Sequence, residues 1–291
     1  MGDEAPRTRA AREAAERALV RVVHHYGSRP EFVLLGGLVP ELLCANSAFH
    51  HAGTTDVDVQ LNLEIECGAV NAVRLERALR DAGFEPDNER VWRWIADTAP
   101  PRTVVKFELL VDLDHTAAES TIYFDKCEKL GAVNLRGTRF ASRDVVVRKL
   151  SARIGDVIHE AEVNVTGLAG FLLAKTAAAN VRRKPKDWYD IAFVLLHNDA
   201  GGTMAASRAV RERFADQIGE IKTGLDDLLA NFAAPDAQGP RAYVEQMLLD
   251  HPDLDAKTLA ADAILAVAEF HQGLFAPGVA GGLEDSSGVR R

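Results

Sequence analysis

The chain has 291 residues, of which 47% are apolar and 26% are charged, values typical of a globular protein. Its net charge of −9 argues against a surface that coats nucleic acid through clustered Lys and Arg, although it leaves room for a local basic groove. No apolar run reaches the roughly 18–20 residues of a membrane span, and the N-terminus lacks the apolar region of a signal peptide. Cys44, Cys67 and Cys127 show no metal-ligand spacing, so we expect reduced thiols and a cytoplasmic location.

Hydrophobic periodicity predicts alternating helices and strands through the first half of the chain. Helices are expected over 10–26, 38–45 and 68–82, and strands over 32–35, 56–61, 91–96 and 104–113. The first strand ends at Gly36 and Gly37, where backbone amides can approach a phosphate with no side chain between them. Paired glycines after an apolar run are also a common turn signal, so they do not define a site alone.

Two acidic residues on the strand at 56–61 are the first candidate metal ligands. Asp56 and Asp58 share one face of that strand, roughly 6.6–7 Å apart at about 3.3 Å per residue. Both carboxylates can therefore reach the same pair of divalent ions. Asp is depleted in strands, so two in so apolar a segment suggest a functional requirement. The solvent face of an edge strand is the alternative interpretation.

The strand at 104–113 carries the candidates for a third carboxylate. Glu108 lies in mid-strand between Phe and Leu, and Asp112 lies near the end between Val and Leu. Either could be an outer metal ligand or a general base that accepts the proton of an attacking hydroxyl. A surface Glu paired with Lys106 is the alternative interpretation for Glu108.

The middle of the chain predicts short strands followed by an apolar helix. Strand-like runs occur at 121–124, 133–135, 138–140, 145–147 and 162–165, with a connection at 151–156. Thr166 is a credible N-cap for the helix that follows. Lys175 lies in the middle of this apolar helix, where a Lys either extends its amine to solvent or meets a fixed anion.

A second helix follows a basic stretch at 182–186. Asp187 is expected to cap its N-terminus, and Asp190 is expected in its first turn, where the helix dipole favours negative charge. Further helices are predicted as a small bundle or cap over 205–214, 217–232, 240–249 and 256–275. Residues 277–291 are rich in Gly and Ser and are predicted to be a disordered tail.

This order of motifs (strand, Gly-Gly, helix, Asp-x-Asp strand, acidic strand, Lys helix and Lys-Asp-x-x-Asp) resembles the polymerase-beta-type nucleotidyltransferase superfamily. Within it, residues 15–197 are most similar to the AbiEii/AbiGii-type toxins, which include the MenT toxins. The resemblance implies an α+β fold with a mixed sheet flanked by helices. Together with the predicted elements, it leads us to expect a nucleotidyltransferase core with its N-terminal helix at 1–165. A helical C-terminal part that carries the Lys175 and Asp190 motifs is expected at 166–276, and its end contributes nothing to the resemblance.

The chain departs from the superfamily pattern in three respects. Many members have Gly-Ser where this chain has Gly36 and Gly37, although Gly-Gly is common in the toxin branch. Eighteen residues separate Gly37 from Asp56, more than in compact members. The family also more usually has Asp where this chain has Glu108.

The resemblance also implies roles for the candidate residues. Asp56, Asp58 and Glu108 would hold Mg²⁺ or Mn²⁺, and Glu108 is preferred to Asp112 because two leucines follow it, as in the toxin branch. The acid of the final motif would be Asp190, which would hold a basic residue or the nucleotide, with Asp187 as its rival. The implied nucleotide-binding residues are Gly36, Gly37, Thr55, Lys175, Lys186 and Asp187, of which Lys175 would contact the triphosphate.

The implied activity is transfer of a nucleoside monophosphate from an NTP to RNA, with the 3′ end of tRNA as the favoured acceptor. Arrested translation and a cognate antitoxin would accompany it. A small-molecule acceptor, as in aminoglycoside adenylyltransferases, and a protein acceptor stay open. A non-catalytic module that binds a nucleotide or a partner is the alternative of another class.

Overall fold

The computed structural model describes residues 7–61, 71–98 and 103–275. The helices in these ranges are α1 (Arg9–Tyr26), α2 (Val39–Leu43), α3 (Ala72–Asp81), α4 (Arg139–Arg143), α5 (Leu168–Arg182), α6 (Pro185–His197), α7 (Thr203–Phe214), α8 (Lys222–Asn231), α9 (Gln238–Asp250) and α10 (Ala256–Phe275). The strands are β1 (Val33–Leu35), β2 (Asp56–Gln60), β3 (Glu85–Pro86), β4 (Arg93–Thr98), β5 (Thr103–Val111), β6 (Thr121–Tyr123), β7 (Gly131–Asn134), β8 (Val145–Ile154) and β9 (Val157–Thr166). None of the helices in these ranges has the length and apolarity needed to cross a membrane.

The strands form one mixed sheet in the order β3-β4-β5-β2-β1-β9-β8, with β7 beside the end of β5 and β6 beside β7. β2 runs parallel to β5 and antiparallel to β1, and β1 runs parallel to β9. Helices flank this sheet, and α5 to α10 continue as a helical part. The expected α+β class, a mixed sheet flanked by helices, is therefore confirmed.

The central strands follow the alternation read from the sequence. Val57 and Val59 of β2 are fully buried, as are Phe107 and Leu109 of β5, while the polar residues between them are only partly buried. This pattern leaves one face of the central strands for apolar packing and the other for polar chemistry. A single hydrophobic core runs on from the sheet into the helical part and includes Trp188.

Several predicted elements differ from the structure. The strand predicted at 138–140 is wrong, because Phe140 belongs to the short helix α4. The connection predicted at 151–156 is also wrong, because β8 continues to Ile154 and forms a long hairpin with β9. This hairpin turns at Gly155, whose φ of +61° suits glycine. Residues 148–161 of this hairpin are mostly exposed or partly exposed and mix charged with apolar residues, so this part lacks the apolar run expected of a strand.

The predicted helix caps are also wrong. Thr166 ends β9, and Gly167 is the N-cap of α5. Helix α6 begins at Pro185 after Lys184, because proline suits the first position of a helix. Asp187 therefore lies inside the first turn, and Asp190 lies one turn later, where neither carboxylate caps the helix. The helices predicted in the C-terminal part are present, with residues 215–221 as a 3-10 segment.

The domain boundaries predicted at residues 165 and 276 stay predictions. The tail predicted at 277–291 and the first residues of the helix predicted at 68–82 lie outside the described residues.

Asp112 fastens the end of β5 to the start of α4. Its buried carboxylate accepts hydrogen bonds from the backbone N–H groups of Gly137 (2.8 Å) and Arg139 (3.1 Å). It also pairs with the guanidinium groups of Arg136 at 3.5 Å and Arg139 at 3.3 Å. Because these four interactions use both carboxylate oxygens, Asp112 has a structural role at this position.

We predict that Asp112→Asn lowers the free energy of unfolding by about 1.5–3 kcal/mol, the usual range for hydrogen bonds to a charged group. The amide keeps the volume of the side chain but loses the charge and one acceptor. Urea denaturation measures the change. Asp114→Asn is the matched control, because Asp114 pairs with the same two arginines but is exposed and should change stability little. Equal losses in the two variants would contradict the structural role of Asp112.

Candidate active site

The candidate site is built on a row of charged side chains that crosses three neighbouring strands. The parallel register of β2 and β5 places Asp56 beside Lys106 and Asp58 beside Glu108. The antiparallel register of β4 and β5 places Arg93 on the other side of Glu108. Since paired residues share a face of the sheet and adjacent strands lie about 4.8 Å apart, three carboxylates are crowded together there.

Cations hold the two outer carboxylates of this cluster. Arg93 contacts Oε1 of Glu108 with Nη2 at 2.5 Å and Nε at 2.7 Å. Lys106 Nζ lies 3.6 Å from Oδ1 of Asp56, and Lys186 Nζ, from α6, lies 3.5 Å from its Oδ2. Glu108 is therefore firmly engaged, whereas Asp56 is held at longer distances from two sides.

Asp58 lies between the other two carboxylates. Burial raises the pKa of Asp58 to about 7, with further contributions from the negative charges of Glu108 and Asp56. Lys186 and Lys175 act in the opposite direction. Near neutral pH this carboxyl group is consequently divided between its protonated and ionised forms.

The carboxylate row provides the ligand chemistry of a divalent cation. Oδ1 of Asp56 is buried and makes no hydrogen bond, and carboxylate oxygens are the ligands that Mg²⁺ prefers. In the part of the chain that the structure describes, no group of three or more His, Cys, Asp or Glu side chains already converges as metal ligands. Asp56 and Asp58 therefore fit a cation, which Glu108 could join only by leaving Arg93.

The glycine pair lies directly against this row. Gly36 has a φ of +78°, and a Cβ at this position would lie 1.9 Å from Oδ2 of Asp58. Gly37 is less constrained, because its Cβ would approach the side chain of Thr54 at 3.0 Å. The backbone carbonyl of Thr55 accepts a hydrogen bond from the N–H of Lys106 at 3.0 Å. The predicted contact of these residues with a phosphate stays a prediction.

Lys175 is buried and paired. Its ammonium lies 3.0 Å from Oδ1 of Asp187 and 2.7 Å from Oδ2 of Asp190. Arg182 donates two further hydrogen bonds to Asp187, at 2.7 and 2.8 Å. Of the two alternatives for Lys175, the structure therefore shows contact with fixed anions, and the amine does not extend to solvent.

Asp190 contacts basic side chains from distant parts of the chain. Nη2 of Arg7 lies 2.6 Å from Oδ1 of Asp190, and Nε2 of His51 lies 2.9 Å from the same oxygen. Burial would raise the pKa of Asp190, but Lys175 and Arg7 hold it well below its usual value. Burial also lowers the pKa of His51, so this imidazole is neutral and donates to Asp190. The guanidinium of Arg7 also lies 4.9 Å from the ring centroid of Tyr189.

A cleft of about 520 Å³ opens over the carboxylate row. Its eight basic side chains are Arg7, Arg90, Arg93, Lys106, Lys175, Arg182, Lys184 and Lys186, and its four acidic side chains are Asp56, Asp58, Glu108 and Asp190. The difference, eight minus four, is a formal surplus of +4 in a chain whose net charge is −9. This basic cleft is the local groove that the composition allowed, and neither Asp112 nor Asp187 lines it.

Sequence reasoning missed several residues of this site. Arg93 had a usable signal, since it alternates with the apolar residues of β4 and so belongs on the polar face. Arg7 and His51 had no local signal, because only the tertiary fold brings them to Asp190. Arg90 lies in a turn that precedes β4, where an exposed Arg is ordinary.

A scan of the chain against protein-family models found no match, and a search of the curated proteins found none either. The resemblance to the nucleotidyltransferase toxins stays a prediction from the motifs.

We predict that Gly36→Ala lowers the melting temperature and that Gly37→Ala has a smaller effect. The first change forces a side chain into a left-handed backbone conformation and against the Asp58 carboxylate, whereas the second needs only a small shift of Thr54. A strained substitution of this kind costs of order 1–3 kcal/mol. Thermal denaturation of both variants measures the difference, and equal losses would contradict the close approach of Gly36 to Asp58.

We predict that Asp58→Asn stabilises the metal-free protein at about pH 8 and has little effect at about pH 5. The pKa of Asp58 is raised in the folded state, so its contribution to stability falls as the pH rises from about 4 to about 7. Asn cannot ionise, so the variant lacks the charged form of residue 58 that burial and the neighbouring carboxylates disfavour. Each kcal/mol gained raises the melting temperature by about 2–4 °C.

Differential scanning calorimetry in EDTA at the two pH values tests this prediction. Destabilisation by Asp58→Asn at both pH values would contradict the crowding of ionised carboxylates at this position.

Proposed function

We propose that this chain is a metal-dependent nucleotidyltransferase with a polymerase-beta-type core. It moves a nucleoside monophosphate from an NTP to a hydroxyl group of RNA, with the 3′ end of tRNA as the favoured acceptor. The observation that carries this proposal is the crowded carboxylate row at the base of a basic cleft. By the motif resemblance, the proposal includes a toxin role in the cytoplasm and a cognate antitoxin.

The cleft residues bind the triphosphate in this proposal. Gly36 and Gly37 bring backbone close to the carboxylate row, and Lys186 extends from α6 toward Asp56. Lys175 pairs with its own acids, so it adds positive charge behind the phosphates rather than leaving the cluster. Asp190 holds Lys175 and Arg7 in place, which supports the role of Asp190 as the acid that fixes a basic residue.

The proposed chemistry is an in-line displacement at the α-phosphorus. The acceptor oxygen forms a bond to this phosphorus, the bond from it to the bridging oxygen breaks, and pyrophosphate leaves. Glu108 accepts the proton of the attacking hydroxyl, for which it must release Arg93. Mg²⁺ or Mn²⁺ held by Asp56 and Asp58 would supply neutralisation of the charge on the phosphates.

The charge of the cleft bears on the choice of acceptor. A cationic drug is attracted to an acidic site, whereas a basic surplus attracts a polyanion. The surplus therefore supports RNA over an aminoglycoside-like acceptor. A module that only binds phosphates needs cations and no carboxylates. In such a module the crowded ionised carboxylates would lower stability and serve no function. Their presence supports catalysis over binding alone.

We predict that Asp58→Ala abolishes nucleotide transfer without unfolding the protein, because it removes a cation ligand beside the α-phosphate. The assay incubates the protein with total RNA, Mg²⁺ and each α-³²P-labelled NTP in turn, and a labelled band of tRNA size is expected from the unaltered protein. Asp114→Ala is the matched control, because it removes an exposed carboxylate away from the cleft and should retain activity. Circular dichroism checks that both variants are folded.

Each result of this assay has a defined consequence. Transfer that survives Asp58→Ala would overturn the assignment of the cation ligands. A lack of label with all four nucleotides would overturn the RNA acceptor and shift attention to small-molecule or protein acceptors.

A further inference from the structure

A second cavity, which we call the apolar chamber, adjoins the basic cleft and has a volume of about 240 Å³. Both cavities are lined by Asp58, Glu108, Lys175 and Arg182, which therefore form their common wall. Most of the remaining wall is apolar and includes Leu35, Leu110, Phe171, Ala174, Ala178 and Val181. The chamber is smaller than the roughly 300–1,000 Å³ of sites for whole drug-sized ligands, so it suits one part of a nucleotide.

Most polar side chains at the far edge of the chamber are already used. The side chain of Asn134 accepts from the N–H of Leu113 and donates to the carbonyls of Leu113 and Thr116. Arg136 donates to the same two carbonyls, of Leu113 and Thr116. The hydroxyl of Thr138 donates to the carbonyl of Leu135. These groups therefore hold the loop that follows β5 and leave little capacity for a ligand.

Glu119 differs from these neighbours. It lines the chamber, its side chain is exposed, and within residues 7–61, 71–98 and 103–275 its carboxylate makes no hydrogen bond or ion pair. Its backbone has a φ of +62°, which is uncommon for a residue other than glycine. The N–H of Glu119 donates to the carbonyl of Asn134 at 2.7 Å, which fixes this conformation. Backbone strain of this kind is concentrated at ligand-binding positions.

We propose that the apolar chamber binds the base of the NTP and that Glu119 selects guanine. A carboxylate offers two acceptors side by side, and guanine alone among the four bases offers two adjacent donors, N1–H and the 2-amino group. Adenine and cytosine place an acceptor nitrogen beside their amino group, and uracil places carbonyl oxygens on both sides of its N–H. The other bases would therefore leave a carboxylate oxygen against an acceptor.

This inference rests on the proposed function and extends it to the choice of substrate. With the base in the chamber and the β- and γ-phosphates in the basic cleft, the α-phosphorus lies at the common wall. Asp58 and Glu108 belong to that wall, so the reacting atom meets the carboxylates that the chemistry requires. The two cavities thereby account for the two ends of one nucleotide.

The test measures binding by isothermal titration calorimetry with Mg²⁺ and no acceptor. The ligands are GTP, ATP, CTP, UTP and inorganic tripolyphosphate, which probes the cleft alone. GTP should bind about tenfold more tightly than the other nucleotides, in keeping with the discrimination of a two-hydrogen-bond contact to a base edge. Glu119→Gln should remove this preference, whereas Glu160→Gln, which alters an exposed carboxylate of the β8–β9 hairpin, should retain it.

A second variant tests the chamber without Glu119. Ala178→Phe fills the chamber from α5. It should lower the affinity for GTP to that for tripolyphosphate and leave the affinity for tripolyphosphate itself unchanged. The melting temperature shows that the variant is folded.

The outcomes separate this inference from the function on which it rests. If neither tripolyphosphate nor any nucleotide binds, the proposed function fails, and the inference fails with it. If all four nucleotides bind alike and Ala178→Phe changes none of them, the chamber assignment is overturned and the function stands. A separate titration with tRNA completes the test: if Ala178→Phe weakens the binding of tRNA and leaves that of every nucleotide unchanged, the chamber belongs to the acceptor, which also overturns the assignment.

Discussion

Repulsion among Asp56, Asp58 and Glu108 is the constraint on which the rest of the site depends. Two like charges on adjacent strands, about 5 Å apart, repel by roughly 3 kcal/mol at the effective dielectric of a partly buried site. Neighbouring cations offset this repulsion, and they come from different elements, with Arg93 on β4 and Lys186 on α6. The sheet and the helical part are therefore joined by charge at the cleft as well as by the hydrophobic core.

The cluster around Asp187 and Asp190 has a different role. Two carboxylates face three cations (Lys175, Arg182 and Arg7), which leaves a formal charge of +1 beside the cleft. Buried ion pairs contribute little net stability because desolvation opposes their attraction. The role of these ion pairs is to position groups, since they fix the orientation of α5 and α6 and hold positive charge where a polyanion would enter.

Much of the fold could be predicted because its signals are local. Val57 and Val59 alternate with two acids, and that period alone defines β2 and its polar face. The position of Glu108 beside Asp58 could not be read from periodicity, because it depends on the register of β2 and β5. The predicted N-caps Thr166 and Asp187 were wrong because capping preference is a local property. Pairing with β8 extends β9 to Thr166, and the carboxylate of Asp187 forms buried ion pairs.

The ion pair between Arg7 and Asp190 spans 183 positions of the chain. During synthesis, a chain that has emerged only as far as β9 already contains the carboxylate row and Arg7, but it lacks Asp190 and the lysines of α5 and α6. The basic wall of the cleft is therefore completed late, after the whole sheet has been made. A nascent or truncated chain that ends at β9 therefore carries three of the four acidic side chains of the cleft but only four of its eight basic ones.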